Sequence, residues 1–266
     1  MRKLYEKKEI LFTLCWILAY CAVTGSIKDK LGFESPAMLL SLLVFSAGIL
    51  LFVRRNHLEE KYGLSGWPKD TKRYLYFIPM WLLATGNLWH GISPAYQGTA
   101  QVLAVLSMIL VGFVEEMIFR GFLFRAMLSK DKPIVAVIVT AVTFGIGHIV
   151  NLFTGQTSVE TVMQIIFAVS WGFILTMVCY KSWSIIPSIL AHALIDAFSM
   201  FAADREKAAW VYIGATIVVG VLYCVYLSRL QAPKPDCPMP VPESGETSTV
   251  INKTTSPDAG KQKKRW

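Results

Sequence analysis

Apolar stretches of membrane-crossing length fill this chain and leave it few ways to fold. Runs at about residues 9–26, 36–53, 73–89, 98–119, 133–153, 160–180, 184–202 and 208–228 each approach the ~20 residues that carry a helix across ~30 Å of hydrocarbon. Lipid offers no partner to a backbone N–H or C=O, so such runs fold as helices. Only 17% of the 266 residues are charged, against roughly 25% in a soluble domain. The sequence predicts an all-α, polytopic membrane helix bundle of about eight transmembrane helices, occupying residues 1–230.

Basic residues predict which way it sits. Lys and Arg gather at the N-terminus (Arg2, Lys3, Lys7, Lys8), in the 54–73 connector, at Arg125, Lys130 and Lys132, at Lys181, and from Arg229 onward. With eight crossings these segments share one face, and only Lys28, Lys30, Arg205 and Lys207 fall on the other. Cytoplasmic loops carry the Lys/Arg excess, so both termini are expected in the cytoplasm, with the plasma membrane of a bacterium as the setting. The net charge of +8 then reflects topology and contact with anionic lipid, and no nucleic-acid partner is expected. Residues 231–266, rich in Pro, Ser, Thr and Lys, are expected to form a disordered cytoplasmic tail. The five cysteines show no metal spacing, and four lie in spans, which argues against a disulfide framework. The first run lacks a small-residue cleavage site and reads as a retained span.

Inside these runs the ionisable residues are few: Glu115, Glu116, Arg120, His148, His192 and Asp196. A charge at the bilayer centre costs ~2.5–3.5 kcal/mol on insertion scales, and such groups face the bundle interior. Glu116 and Arg120 are four apart and share a helix face. Glu115 is rotated about 100° from Glu116, so one glutamate is expected to be held by Arg120 and the other left free. Phe144 and His148 are also four apart, which puts the ring one turn below the imidazole. Gly145 and Gly147 are expected to admit a neighbouring helix. His192 and Asp196 share a face in the same way. Each cluster alone is equally a buried polar network that ties helices together. Three such clusters in three spans make a hydrolytic inventory of base, imidazole and further donors.

Glu115-Glu116-x-x-x-Arg120, Phe144-x-x-x-His148 and His192-x-x-x-Asp196, in that order and each inside a span, resemble the three motifs of the CPBP family. These are the CAAX-type prenyl endopeptidases and bacteriocin-processing or immunity (Abi) proteins. The resemblance covers about residues 110–200. It implies an intramembrane glutamic endopeptidase in which Glu115 activates water together with His148. His192 and Asp196 stabilise the oxyanion, and Glu116, Arg120 and Phe144 support the site. Asp196 stands where prenyl-protein endopeptidases usually have Asn. An ionised Asp196 would repel an oxyanion, so it is expected to share a proton or to orient His192.

The resemblance implies no cofactor. The same letters could also hold zinc, since two His with two or three carboxylates leave a position for water, although no His-Glu-x-x-His is present. The one Gly-x-Ser-Gly segment, Gly63-Leu64-Ser65-Gly66, lies in a turn-rich connector between spans, and there is no Gly-x-Gly-Asp segment, so neither a serine nor an aspartyl intramembrane enzyme is indicated. The expected substrate is a membrane-associated peptide or a lipidated protein, met at the lipid bilayer. The competing reading is a non-catalytic immunity or scaffold protein. A proton-relaying transporter fits less well, because no pair of interrupted helices lies in matching half-repeats.

Overall fold

Helix formation follows the apolar runs. The computed structural model describes residues 2–68, 77–203 and 206–230. After a short α1 (Arg2–Lys7) come α2 (Glu9–Leu31), α3 (Pro36–Arg55), α4 (Ile78–Ala84) and α5 (Gly98–Glu116). A π-helical stretch, Met117–Leu123, joins α5 to α6 (Phe124–Leu128). The chain continues through α7 (Pro133–Gly147), a 3₁₀ stretch His148–Thr154, α8 (Ser158–Ser182), α9 (Ile186–Ser199) and α10 (Glu206–Arg229). There is no strand among the described residues, only an isolated bridge between Ile92 and Ala202.

Local chemistry sets several of the boundaries. Ser35 caps α3 by accepting from the Met38 N–H, and Pro36 fills the first turn, where its missing N–H costs nothing. Thr157 and Glu160 form a capping box at the start of α8. That helix stops at Trp183, whose φ of 57° is left-handed.

Six helices among the described residues are long and apolar enough to cross a membrane: α2, α3, the joined α5–α6 unit Gly98–Leu128, α7 with its 3₁₀ extension, α8 and α10. The expected run at 184–202 is represented by α9, with only 14 residues. Pro187 lies in its first turn. At its far end the backbone leaves the helix so that Met200 and Phe201 accept from the Ala95 and Ser93 N–H groups. The expected run at 73–89 is broken as well. Its described part is α4 followed by the 3₁₀ turn Gly86–Leu88, while 73–76 and the tail at 231–266 lie outside the described residues.

Close helix approach positions the polar residues. A Cβ on Gly112 of α5 would lie 2.6 Å from the Ala193 N of α9, so only glycine lets those backbones meet beside His192. Gly172 of α8 meets Ala141 of α7 in the same way, and Gly145 meets Val169. Gly147 admits no neighbour, since a Cβ there would meet nothing within 4 Å. It lies at the end of α7, where the chain turns away into the 3₁₀ stretch.

One end of the bundle is fastened by Lys61, which donates to Glu9 Oε1 at 2.7 Å and to the Tyr5 hydroxyl at 2.8 Å. Burial beside these groups pushes the Tyr62 phenol above its ordinary range. The Ser184 hydroxyl donates to Gly66 O at 2.9 Å, and Ile185 N–H to Gly63 O. Arg125, counted with Lys130 and Lys132 among the basic residues of this face, is fully buried. Its guanidinium lies 4.0 Å from the Trp183 ring centroid, a stacking that replaces water on the planar cation.

Candidate active site

The two adjacent glutamates are sorted by their surroundings. The Glu116 side chain is 0% exposed, and its Oε1 accepts from Arg120 Nη1 at 2.7 Å, the pairing expected from their four-residue spacing. Arg120 also donates from Nε to Thr176 of α8 at 3.3 Å. The π-helical stretch starts just after Glu116 and contains Arg120. Such bulges recur where a helix has to re-aim a functional side chain. Glu115 is 14% exposed and lines a cavity, where its Oε1 accepts from the Tyr20 hydroxyl at 2.8 Å.

α9 brings His192 onto this pair. Its Nδ1 lies 2.8 Å from Glu116 Oε1. An ionised carboxylate only accepts, so Nδ1 is the donor. Nε2 is thereby turned towards Glu115 Oε2 at 3.8 Å and Asp196 Oδ2 at 3.4 Å. The His–Asp contact lies within α9 and does not bridge two helices.

His148 begins the 3₁₀ stretch at the end of α7, and its Nδ1 lies 3.2 Å from the Phe144 carbonyl. A carbonyl also only accepts, so in the neutral ring the proton sits on Nδ1 and Nε2 carries the lone pair. Phe144 separates the two imidazoles. Its ring packs edge-on against His148 at 5.4 Å and His192 at 5.5 Å, with the Arg120 guanidinium 4.2 Å from its centroid.

All of the expected residues are therefore gathered at one place. Glu115, His148, His192 and Asp196 line a common cavity of about 480 Å³, with Phe144 in its wall. Glu116 and Arg120 lie behind it, fully buried. Three contributors were not expected from sequence: Tyr20, Thr176 and Asn151. The signal for Tyr20 was its depth, since tyrosines in membrane helices concentrate at the interfaces and this one sits mid-run. Among the described residues, no group of three or more His, Cys, Asp and Glu is arranged to hold a metal ion.

Residues 97–198 match the family model for Type II CAAX prenyl endopeptidase Rce1-like proteins. The central segment belongs to the CAAX-protease (CPBP) family. The match runs from the residue before α5 to the last turn of α9 and contains all three motifs. No curated protein and no solved structure matches the chain. The match over residues 97–198, together with six apolar helices of crossing length among the described residues, supports an integral membrane protein whose central segment is similar to the CAAX-type proteases.

Proposed function

We propose that the chain hydrolyses a peptide bond of a membrane-associated or lipidated substrate with water activated by Glu115. One observation carries this reading: Glu116 is committed to Arg120 and His192, whereas its neighbour Glu115 faces the cavity. Glu115 takes a proton from water while the oxygen attacks the scissile carbonyl carbon. His148, with Nδ1 held by the Phe144 carbonyl, offers Nε2 to orient that water. Charge on the former carbonyl oxygen is met by the Nε2–H of His192 as an imidazolium, whose Nδ1–H is held by Glu116, and by Asp196 in its protonated form, donors placed before the charge develops. The C–N bond then breaks, and the proton on Glu115 passes to the leaving amine. The products are a carboxylic acid and an amine, which separate as carboxylate and ammonium. No metal enters this scheme, and cleavage is expected to survive EDTA.

The chain crosses the membrane eight times with both termini in the cytoplasm. Support comes from the ends of the short helices. α9 starts where Ile185 meets Gly63 and finishes where Met200 meets Ala95, so it joins the same two faces as the long helices. Basic residues concentrate on the face of the 56–66 connector. The cavity lining reaches Lys28, Asn151 and Met200, at helix ends on the other face, and this supports entry of the substrate peptide from the non-cytoplasmic side.

The test is to compare peptide termini in membranes of cells carrying the wild type or Glu115→Ala, matched for abundance. A terminus found only with the wild type establishes proteolysis and names the substrate. Identical termini, with any growth or resistance phenotype surviving the substitution, would make the protein a non-catalytic membrane partner.

A further inference from the structure

A polar path leads from Glu115 along the cavity wall towards the end of α2. Tyr20, Thr24 and Lys28 recur every four residues on one face of α2, and all three line the cavity. Tyr20 holds Glu115 at the inner end. At the outer end Lys28 Nζ donates to Asn151 Oδ1 at 3.2 Å. Asn151 is itself oriented, because its Nδ2 donates to Gln164 Oε1 of α8 at 2.8 Å. A second path runs beside the first. His148 and Asn151 are three apart on the 3₁₀ stretch, where side chains at that spacing eclipse. The site and the Lys28 end of the cavity are thus connected by two rows of side chains, on α2 and on the 3₁₀ stretch.

Lys28 is the one lysine or arginine among the residues lining the cavity. A lysine near a helix end in lipid normally extends to the headgroups. This one turns inward to Asn151, which accepts one of its three N–H donors. Among the described residues no carboxylate forms an ion pair with it. We infer that Lys28 and Asn151 form a subsite that receives a carboxylate of the substrate peptide, three or four residues from the bond that is cut. The spacing follows from the helix: eight residues from Tyr20 to Lys28 rise about 12 Å at ~1.5 Å each, and an extended peptide covers ~3.3 Å per residue. The ammonium and the Asn151 amide provide charge and direction in a wall that is otherwise mostly apolar.

This subsite rests on the peptidase reading, but its test does not depend on turnover. Octapeptides of alanine, leucine and valine are prepared as free acids, as carboxamides, and as carboxamides carrying one glutamate near the C-terminal end. Retention on detergent-solubilised protein and cleavage are read in the same samples by mass spectrometry. Wild type is expected to retain a carboxylate-bearing pool over the neutral carboxamides by about 10- to 100-fold, the span of a charge-assisted hydrogen bond. Whether the free acids or the glutamate peptides are held identifies the source of the carboxylate. Lys28→Gln is expected to abolish the preference, and Lys28→Arg to restore it. Glu115→Gln is expected to keep the preference while ending cleavage. Equal retention of all three pools by the wild type, or an unchanged preference in Lys28→Gln, overturns the subsite. A Lys28-dependent preference without any cleavage by the wild type leaves the subsite standing and overturns the peptidase reading.

Discussion

Glu116 Oε1 is shared: Arg120 Nη1 reaches it at 2.7 Å and His192 Nδ1 at 2.8 Å, although Glu116 and His192 lie 76 residues apart. One carboxylate oxygen therefore neutralises a buried guanidinium and fixes which nitrogen of His192 faces the cavity. Removing one partner of a fully buried pair strands the other charge, at a cost of ~3–5 kcal/mol. Glu116→Ala and Arg120→Ala are expected to lower the amount of folded protein in membranes and its unfolding temperature in detergent. Wild-type yields and melting temperatures for both variants would remove the structural role.

Glu115 is expected to behave in the opposite way. It is partly exposed on the cavity, where it meets the Tyr20 hydroxyl and, more distantly, His192. Glu115→Gln keeps the volume and an acceptor for Tyr20 but cannot take a proton from water. Membrane abundance and melting temperature should match the wild type while cleavage falls to background. Residual cleavage within tenfold of the wild type would move the base elsewhere, with His148 the next group to test.

The sequence made the ion-pair register legible because helical spacing alone places Glu116 against Arg120 and Phe144 against His148. It also located the starts of the six long crossing helices closely, but the run expected to end at 119 continues to Leu128 and the one expected to end at 26 continues to Leu31. It did not disclose the sharing of Glu116 with His192, because nothing in local spacing says that α5 and α9 touch. That contact depends on Gly112, an unremarkable glycine in an apolar run. The broken 73–89 and 184–202 runs read as full spans because their hydropathy is high throughout. What ends α9 at residue 199 is a pairing of residues 200–201 with the 93–95 loop, and that pairing is long-range. The burial of Arg125 was not legible for a related reason: Trp183, on whose ring its guanidinium stacks, lies beyond α7 and α8 in the chain.

Gly112 offers a direct check of that helix contact. A Cβ there would lie 2.6 Å from the Ala193 nitrogen, which is backbone and cannot rotate away. Gly112→Val is expected to push α9 off α5, to cost ~1–3 kcal/mol as overpacking does, and to end cleavage by drawing His192 from Glu116. Gly147→Ala, with nothing within 4 Å, serves as the control and should be close to neutral in melting temperature. A Gly112→Val protein with full stability and activity would contradict the approach of α5 to α9.

Tyr20 tests a contributor that the three motifs do not contain. Tyr20→Phe removes only the hydroxyl that donates to Glu115 at 2.8 Å and leaves the ring in the aromatic cluster with Phe45. A hydrogen bond to a charged group contributes ~1.5–3 kcal/mol, so kcat is expected to fall by about 10- to 100-fold if that bond fixes the catalytic rotamer. KM and melting temperature should change little. An unchanged kcat would show that Glu115 is held in place without Tyr20.

Asp196 decides how the oxyanion is met. Its Oδ2 lies 3.4 Å from His192 Nε2, close enough either to donate beside it or to orient it. Asp196→Asn supplies an N–H donor of nearly the same shape and no charge, the residue that the resemblance to prenyl endopeptidases puts at this position. If Asp196 works as a protonated donor, Asp196→Asn should retain cleavage, and Asp196→Leu should lose about 10²–10³ in kcat, the usual effect of removing one oxyanion donor. If Asp196 instead has to be a carboxylate that orients His192, Asn and Leu should be equally inactive. Steady-state kinetics of the two variants, at matched membrane abundance, separates the roles, since only a donor role survives the amide.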